Sequence, residues 1–181
     1  MDDRPMIQLM AISGSLRAAS GNTALLRAAI GCAPANAQIS LYEDIGHLPI
    51  FNPDDDSRPN IYVQALRGRI TRCDGLIIAS PEYAHGVTGA IKNMLDWLVS
   101  CEAFVDKPVL LLNTGNGAMH AHAALQETLK TMSAKLHVSP ALDFPLPRTP
   151  RMAIDFSNDD NITKRLRALL AEFVATICPS E

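Results

Sequence analysis

Several things are scarce in this sequence, and each scarcity removes a class of function. Lysine and arginine total 16 against 19 acidic residues, and the net charge of −3 comes with no basic stripe. Binding to nucleic-acid phosphates or to an anionic membrane is therefore not expected. The four cysteines, Cys32, Cys73, Cys101 and Cys178, stand far apart with no C-x-x-C, which argues against a zinc site or a local dithiol pair. No apolar run approaches bilayer length, and Met1-Asp2-Asp3-Arg4-Pro5 is too acidic to open a signal peptide, so a cytoplasmic location is expected. Neither G-x-x-x-x-G-K-[ST] nor a G-x-G-x-x-G after a strand occurs, which disfavours a Walker site and a dinucleotide fingerprint. Linkers rich in Gly/Ser or Pro are also missing, and 181 residues suffice for one full core, so a single domain spanning 1–181 is expected.

What is present is an alternation of short apolar runs and amphipathic stretches. Met6 to Ile12 is nearly continuous in apolar residues, as a central parallel strand covered on both faces requires. Ile39–Tyr42, Leu76–Ser80, Pro108–Leu112 and Leu136–Val138 read as four further strands. Between them, helices are predicted over Thr23–Cys32, from Pro59 in a first turn to about Arg72, over Ile91–Leu98, and from Met119 to about Ala134. In the second of these, Ile61, Ala65, Leu66 and Ile70 are expected to face inward. Residues 140–157, with four prolines, read as an extended connection before a closing helix over Asn161–Ile177. Five strand–helix alternations imply a doubly wound α/β domain with a parallel sheet. For strand order 2-1-3-4-5 the ligand crevice lies beyond the strands' carboxyl ends, between strands one and three.

Two loops lead to that place. The first, from Ser13 to Asn22, supplies hydroxyls and an amide from Ser13, Ser15, Ser20, Asn22 and Thr23, the amino terminus of a helix, and the fixed charge of Arg17. Such a set suits a phosphomonoester without help from lysine or metal. The second is Pro81-Glu82-Tyr83-Ala84-His85-Gly86-Val87-Thr88-Gly89, where Pro81 fixes the backbone and Gly86 and Gly89 leave it bare enough for something flat to lie on it.

Three stretches carry a resemblance to a known family. They are Gly14-Ser15-Leu16-Arg17-x-x-Ser20-x-Asn22, Asp44-Ile45-x-x-Leu48-Pro49-x-Phe51-Asn52, and Pro81-Glu82-Tyr83-x-x-x-x-x-Gly89-x-x-Lys92-Asn93-x-x-Asp96-Trp97. In type, order and spacing they resemble the NAD(P)H-dependent FMN reductases of flavodoxin-like fold, a group that includes quinone, azo-dye and chromate reductases. The resemblance implies a bound FMN, with NAD(P)H as cosubstrate. It puts the FMN phosphate on Ser13, Ser15, Leu16, Arg17, Ser20, Asn22 and Thr23, and the isoalloxazine on Pro81, Glu82, Tyr83 and Ala84, mainly through main-chain contacts. Thr114 and Gly115, in the loop after strand four, would lie at the pyrimidine edge, although Asn113 to Gly117 matches the family's Gly-rich turn only loosely. Ala84 also departs from the pattern, since the family often has Asn there.

By the same resemblance the chemistry belongs to the flavin: hydride passes from NAD(P)H to N5, and the reduced flavin then, in ping-pong turnover, passes electrons to a small-molecule acceptor such as a quinone, free flavin, azo compound or metal oxyanion. No catalytic side chain is required and no metal is expected. Tyr83, His85 and Gly86 are the substrate-side candidates, Tyr83 either stacking or simply packing. His120 and His122 are two apart on a helix and so should point to different sides, which argues against a metal site. Lys92 and Asp96 should pair on their helix, and Trp97 is either core or interface. The family favours a homodimer or homotetramer. A flavodoxin-like electron carrier and a flavin-free phosphate-binding module stand as alternatives; the first is commonly more acidic and richer in aromatics than 5%, and the second leaves the Pro-Glu-Tyr turn unexplained.

Overall fold

The computed structural model describes residues 6–113, 119–139, 142–144 and 156–177. Strands β1 (Ile7–Ser13), β2 (Ala37–Tyr42), β3 (Gly75–Ala79), β4 (Pro108–Leu112) and β5 (Lys135–His137) alternate with helices α1 (Gly21–Gly31), α2 (Ile61–Arg72), α3 (Gly89–Leu98), α4 (Met119–Thr131) and α5 (Asp160–Ile177). The strands form one all-parallel sheet in the order β2-β1-β3-β4-β5, the flavodoxin-like order that the family resemblance implies. Strand ends sit within two residues of where hydrophobicity alone puts them, β2 starting at Ala37 rather than Ile39.

The apolar runs are continuous because each strand is covered twice. In β1, Leu9 and Ala11 face a core built with Leu25 and Leu26 of α1 and Leu166, Leu170 and Phe173 of α5. Their neighbours Met10 and Ile12 face the opposite core, with Leu66 and Ile70 of α2 and Ile91 and Met94 of α3. The period of two along a strand sorts one sequence into two cores. All five residues of β3 are buried, as its central place demands. Each large aliphatic side chain so buried contributes roughly 1.5–3 kcal/mol.

Helix α2 corrects one expectation. Pro59 lies outside it; Asn60 is the cap, its Oδ1 accepting from the N–H groups of Tyr62 at 3.0 Å and Val63 at 3.2 Å. Starting the helix there sets its phase, and Val63, Leu66 and Ile70 turn inward while Ile61 is 73% exposed and Ala65 is exposed as well. The side chain of Asn60 satisfies two otherwise unpartnered donors, which a proline in the first turn cannot do. Most of the connection predicted over 140–157 lies outside the described residues. Among the described residues no helix is long and apolar enough to cross a membrane.

Candidate active site

The loops after β1 and β3 meet at the point where strand order reverses. Gly14 N–H donates to the Ala79 carbonyl at 2.8 Å, extending the ladder one residue past the strands. A β carbon on Gly14 would stand 2.1 Å from Ser80 Oγ, 2.6 Å from Ser80 Cβ and 2.9 Å from Ile91 Cγ1. Only glycine lets the two backbones approach this closely. The serine-arginine loop and the Pro-Glu-Tyr turn therefore leave the sheet side by side.

The first loop is held by its own hydroxyls. Ser20 caps α1, its Oγ accepting from Thr23 N–H at 3.3 Å, and Ser13 Oγ lies 2.8 Å from Thr23 Oγ1. Ser15 N–H donates to Ser13 Oγ at 3.3 Å, and Arg17 N–H to Ser15 Oγ at 3.4 Å. Ser13, Ser15, Ser20 and Asn22 are buried, whereas Leu16 and Arg17 are exposed. The Arg17 guanidinium has no ion-pair partner among the described residues. A cavity of about 340 Å³ opens beside the loop, lined by Ser13, Ser15, Arg17 and Thr23 on one side and by Gly46 and His47 on the other. Buried hydroxyls, a helix amino terminus and a cation at the rim with no ion-pair partner among the described residues are groups of the kind that suit an anion.

The second loop is a two-residue reverse turn. Tyr83 and Gly86 form an antiparallel bridge, with Gly86 N–H donating to the Tyr83 carbonyl at 2.9 Å and Tyr83 N–H to the Gly86 carbonyl at 3.3 Å. The residues between them, Ala84 and His85, have φ of 49° and 59°. Turns of this left-handed kind favour Asn and Gly, and Ala84 gives up that preference. Tyr83 is 53% exposed, so it does not serve as packing.

The side chain of Glu82 turns toward α4. Its Oε2 accepts from Ala121 N–H at 2.9 Å, satisfying a donor in the first turn of α4, and its Oε1 lies 2.9 Å from His85 Nδ1. The Ala121 N–H, more than the neighbouring His85, holds the Glu82 carboxyl below the usual carboxylate range. The His85 ring meets the edge of His120, centroids 4.6 Å apart at 73°. His122 goes elsewhere, its Nε2 lying 3.1 Å from Gln126 Nε2.

The other two resemblance motifs interlock. Asn93 Oδ1 accepts from Phe51 N–H at 2.7 Å, and its Nδ2 donates to the Pro49 carbonyl at 2.9 Å. Trp97 Nε1 donates to the same carbonyl at 2.8 Å, and the Trp97 ring, 2% exposed and thus core, meets Phe51 edge-on at 5.0 Å. Lys92 and Asp96 pair on the outer face of α3. The clasped segment holds Ile50 outward, 88% exposed, at the rim of a mostly apolar cavity of about 440 Å³ that also includes Leu16, Leu48 and Ala90.

The structure thus gathers Ser13, Ser15, Leu16, Arg17, Ser20, Asn22 and Thr23 from the end of β1 to the first turn of α1, and packs Gly14 of that stretch on Ser80, the residue that precedes the turn carrying Pro81, Glu82, Tyr83, Ala84, His85 and Gly86. Thr114 and Gly115 lie outside the described residues. Sequence reasoning does not reach His120 as a partner of His85, since nothing local in the sequence links the two. Only the strand order, which brings the start of α4 beside the turn after β3, could have suggested it.

Comparison with known proteins gives a consistent result. The family model for NADPH-dependent FMN reductase matches residues 7–149. Over 172 residues the chain is 33% identical to the NADH:(hydroxy)cinnamate reductase subunit CrdA of Vibrio ruber, covering 91% of this chain and 84% of that one. It is 40% identical to the NADPH:quinone oxidoreductase of Arabidopsis thaliana over 121 residues, 63% of this chain and 61% of the relative. Among solved structures, the flavoenzyme NAD(P)H:(acceptor) oxidoreductase FerB from Paracoccus denitrificans superposes with a TM-score of 0.80 at 25% identity, covering 94% of this chain and 97% of FerB.

Proposed function

The chain belongs to the NADPH-dependent FMN reductase family, and from that premise we propose that its crevice holds FMN between the two loops and serves a small quinone-type acceptor. The closeness of Gly14 to Ser80 carries the reading, since it brings the hydroxyl-rich loop beside the residue from which the Pro-Glu-Tyr turn starts. The residues fit the cofactor. Hydroxyls of Ser13 and Ser15, the start of α1 and the unpaired Arg17 match a phosphomonoester, and the backbone of Pro81 to Ala84 offers a surface for a flat ring. Bound FMN would supply the redox chemistry, accepting hydride from NAD(P)H and passing it to the acceptor in ping-pong turnover.

The protein's part is placement. The phosphate end is gripped by groups whose positions are already set by hydrogen bonds within the loop, so little ordering is required on binding. The turn that would hold the ring end is locked by two main-chain hydrogen bonds and by the hold of Glu82 on α4. Tyr83, exposed at the same turn, is free to contact the acceptor. The clasped face with Ile50 and Leu16 is the surface proposed for a homodimer or homotetramer, because large apolar side chains at a cavity rim are better covered.

An absorbance titration with FMN, followed by anaerobic addition of NADH and of NADPH, tests the reading. Flavin uptake and bleaching by either nucleotide are expected. A protein that takes up FMN but is not bleached would be a carrier, and one that takes up none would overturn the reading.

A further inference from the structure

We propose that His85 Nε2 is the proton donor to the acceptor, with Glu82 and His120 as positioning residues; the proposal rests on the functional reading above. A quinone-type acceptor that takes up a hydride becomes an anion at oxygen, and turnover needs a proton delivered there. His85 is built to deliver one.

Glu82 Oε1 lies 2.9 Å from His85 Nδ1, and a carboxylate can only accept. Nδ1 therefore carries a hydrogen whether the imidazole is neutral or charged, and proton exchange is confined to Nε2. Glu82 cannot swing away, because its second oxygen accepts from Ala121 N–H at 2.9 Å and the side chain is only 12% exposed. That same hold keeps Glu82 a carboxylate, so it does not take the proton itself. His120 meets the His85 ring edge-on with centroids 4.6 Å apart, the left-handed backbone at Ala84 and His85 carries the side chain out from the turn after β3, and 78% of that side chain remains open to solvent and to an acceptor. Among the described residues the charged and titratable groups against His85 are Glu82 on its own turn and His120 on α4; His122, farther along α4, is half-buried and held below the usual imidazole range by burial, with Asp143 acting against that.

The step balances. The hydride, supplied by the family's NAD(P)H-dependent activity, converts the quinone to its hydroquinone monoanion. The anionic oxygen's lone pair then takes the Nε2 proton, the N–H pair returns to the ring, and neutral His85 keeps its Nδ1–H on Glu82. Water restores the Nε2 proton.

Two measurements test this. In FMN-loaded protein, turnover with a quinone is compared with turnover with ferricyanide, which takes electrons and no proton. His85→Asn, which suits a left-handed φ, should lower the quinone-to-ferricyanide ratio by about 10²-fold, the usual contribution of a general acid. In protein without cofactor, ¹⁵N NMR should find the hydrogen of neutral His85 on Nδ1. Glu82→Gln should move it to Nε2, since the carboxamide oxygen of that variant stays with Ala121 N–H and its NH₂ group then points at Nδ1. An unchanged ratio in the His85 variant, or an Nε2 hydrogen in the parent protein, overturns the proposal. A protein that takes up no FMN overturns the functional reading and this proposal with it, whereas normal bleaching with an unchanged ratio overturns the proposal alone.

Discussion

Replacing Gly14 by alanine probes the contact on which the crevice depends. The new β carbon would lie 2.1 Å from Ser80 Oγ, 2.6 Å from Ser80 Cβ and 2.9 Å from Ile91 Cγ1, whereas carbon atoms normally approach no closer than about 3.5 Å. A long side chain could swing aside, but Ser80 Cβ is fixed to its backbone, so one loop must retreat by about 1 Å. Overpacking typically costs about 1–3 kcal/mol, and a forced backbone shift belongs at the upper end. Alanine also stiffens the unfolded chain, which offsets about 0.4–1 kcal/mol. The net loss is then about 2 kcal/mol, or about 4–8 °C in Tm for a domain of this length. Urea denaturation of the protein without cofactor measures the loss directly, and FMN titration should show a Kd raised by about tenfold or more, since about 1.4 kcal/mol of displaced contact suffices. The double variant Gly14→Ala with Ser80→Gly removes both serine clashes and should recover at least about 1 kcal/mol relative to the sum of the single effects. A Gly14→Ala protein within about 0.5 kcal/mol of the parent, or a double variant that is simply additive, would refute the claim that the loops touch.

Three other outcomes are expected. Arg17→Ala should raise the FMN Kd by about 10- to 100-fold, the worth of a charge-assisted hydrogen bond, and leave the urea midpoint where it was; unchanged affinity would remove Arg17 from the site. Ala84→Asn should stabilise the protein by about 0.5–1 kcal/mol, because Asn tolerates the φ of 49° better than Ala, and a destabilised variant would contradict the turn geometry. Glu82 is held below the usual carboxylate range, so its contribution to stability is full above the unfolded carboxyl's pKa and is lost as pH falls through the lower folded value. Urea midpoints measured from about pH 6 to about pH 3 should accordingly fall less steeply in Glu82→Gln than in the parent, and parallel curves would sink that account.

The alternation of buried parallel strands with helices, and the hydroxyl-rich loop that runs into the cap of α1, are legible in the sequence because both are written locally. A buried parallel strand must be apolar at every position, and an anion loop must place hydroxyls before a helix. The phase of α2 is misleading for a local reason as well. Pro59 is a strong helix-start signal, but Asn60 satisfies two donors and wins. What sequence reasoning cannot reach are contacts between distant segments. That Glu82 spends its carboxylate on α4 and His85, that His120 meets His85, and that Asn93 serves both Pro49 and Phe51 all depend on the register of the sheet and the tilt of its helices.

The clasp of Asn93 and Trp97 on Pro49 and Phe51 bears on how the protein breathes. Residues 48–52 make no ladder and no helical turn, yet three side-chain hydrogen bonds tie them to α3. Such a stretch has no stability to call its own and inherits that of the helix it leans on. Coil and helix then form one cooperative unit, opening together or staying shut together, and the Phe51 amide should exchange its hydrogen on the timescale of the helix rather than that of a loop.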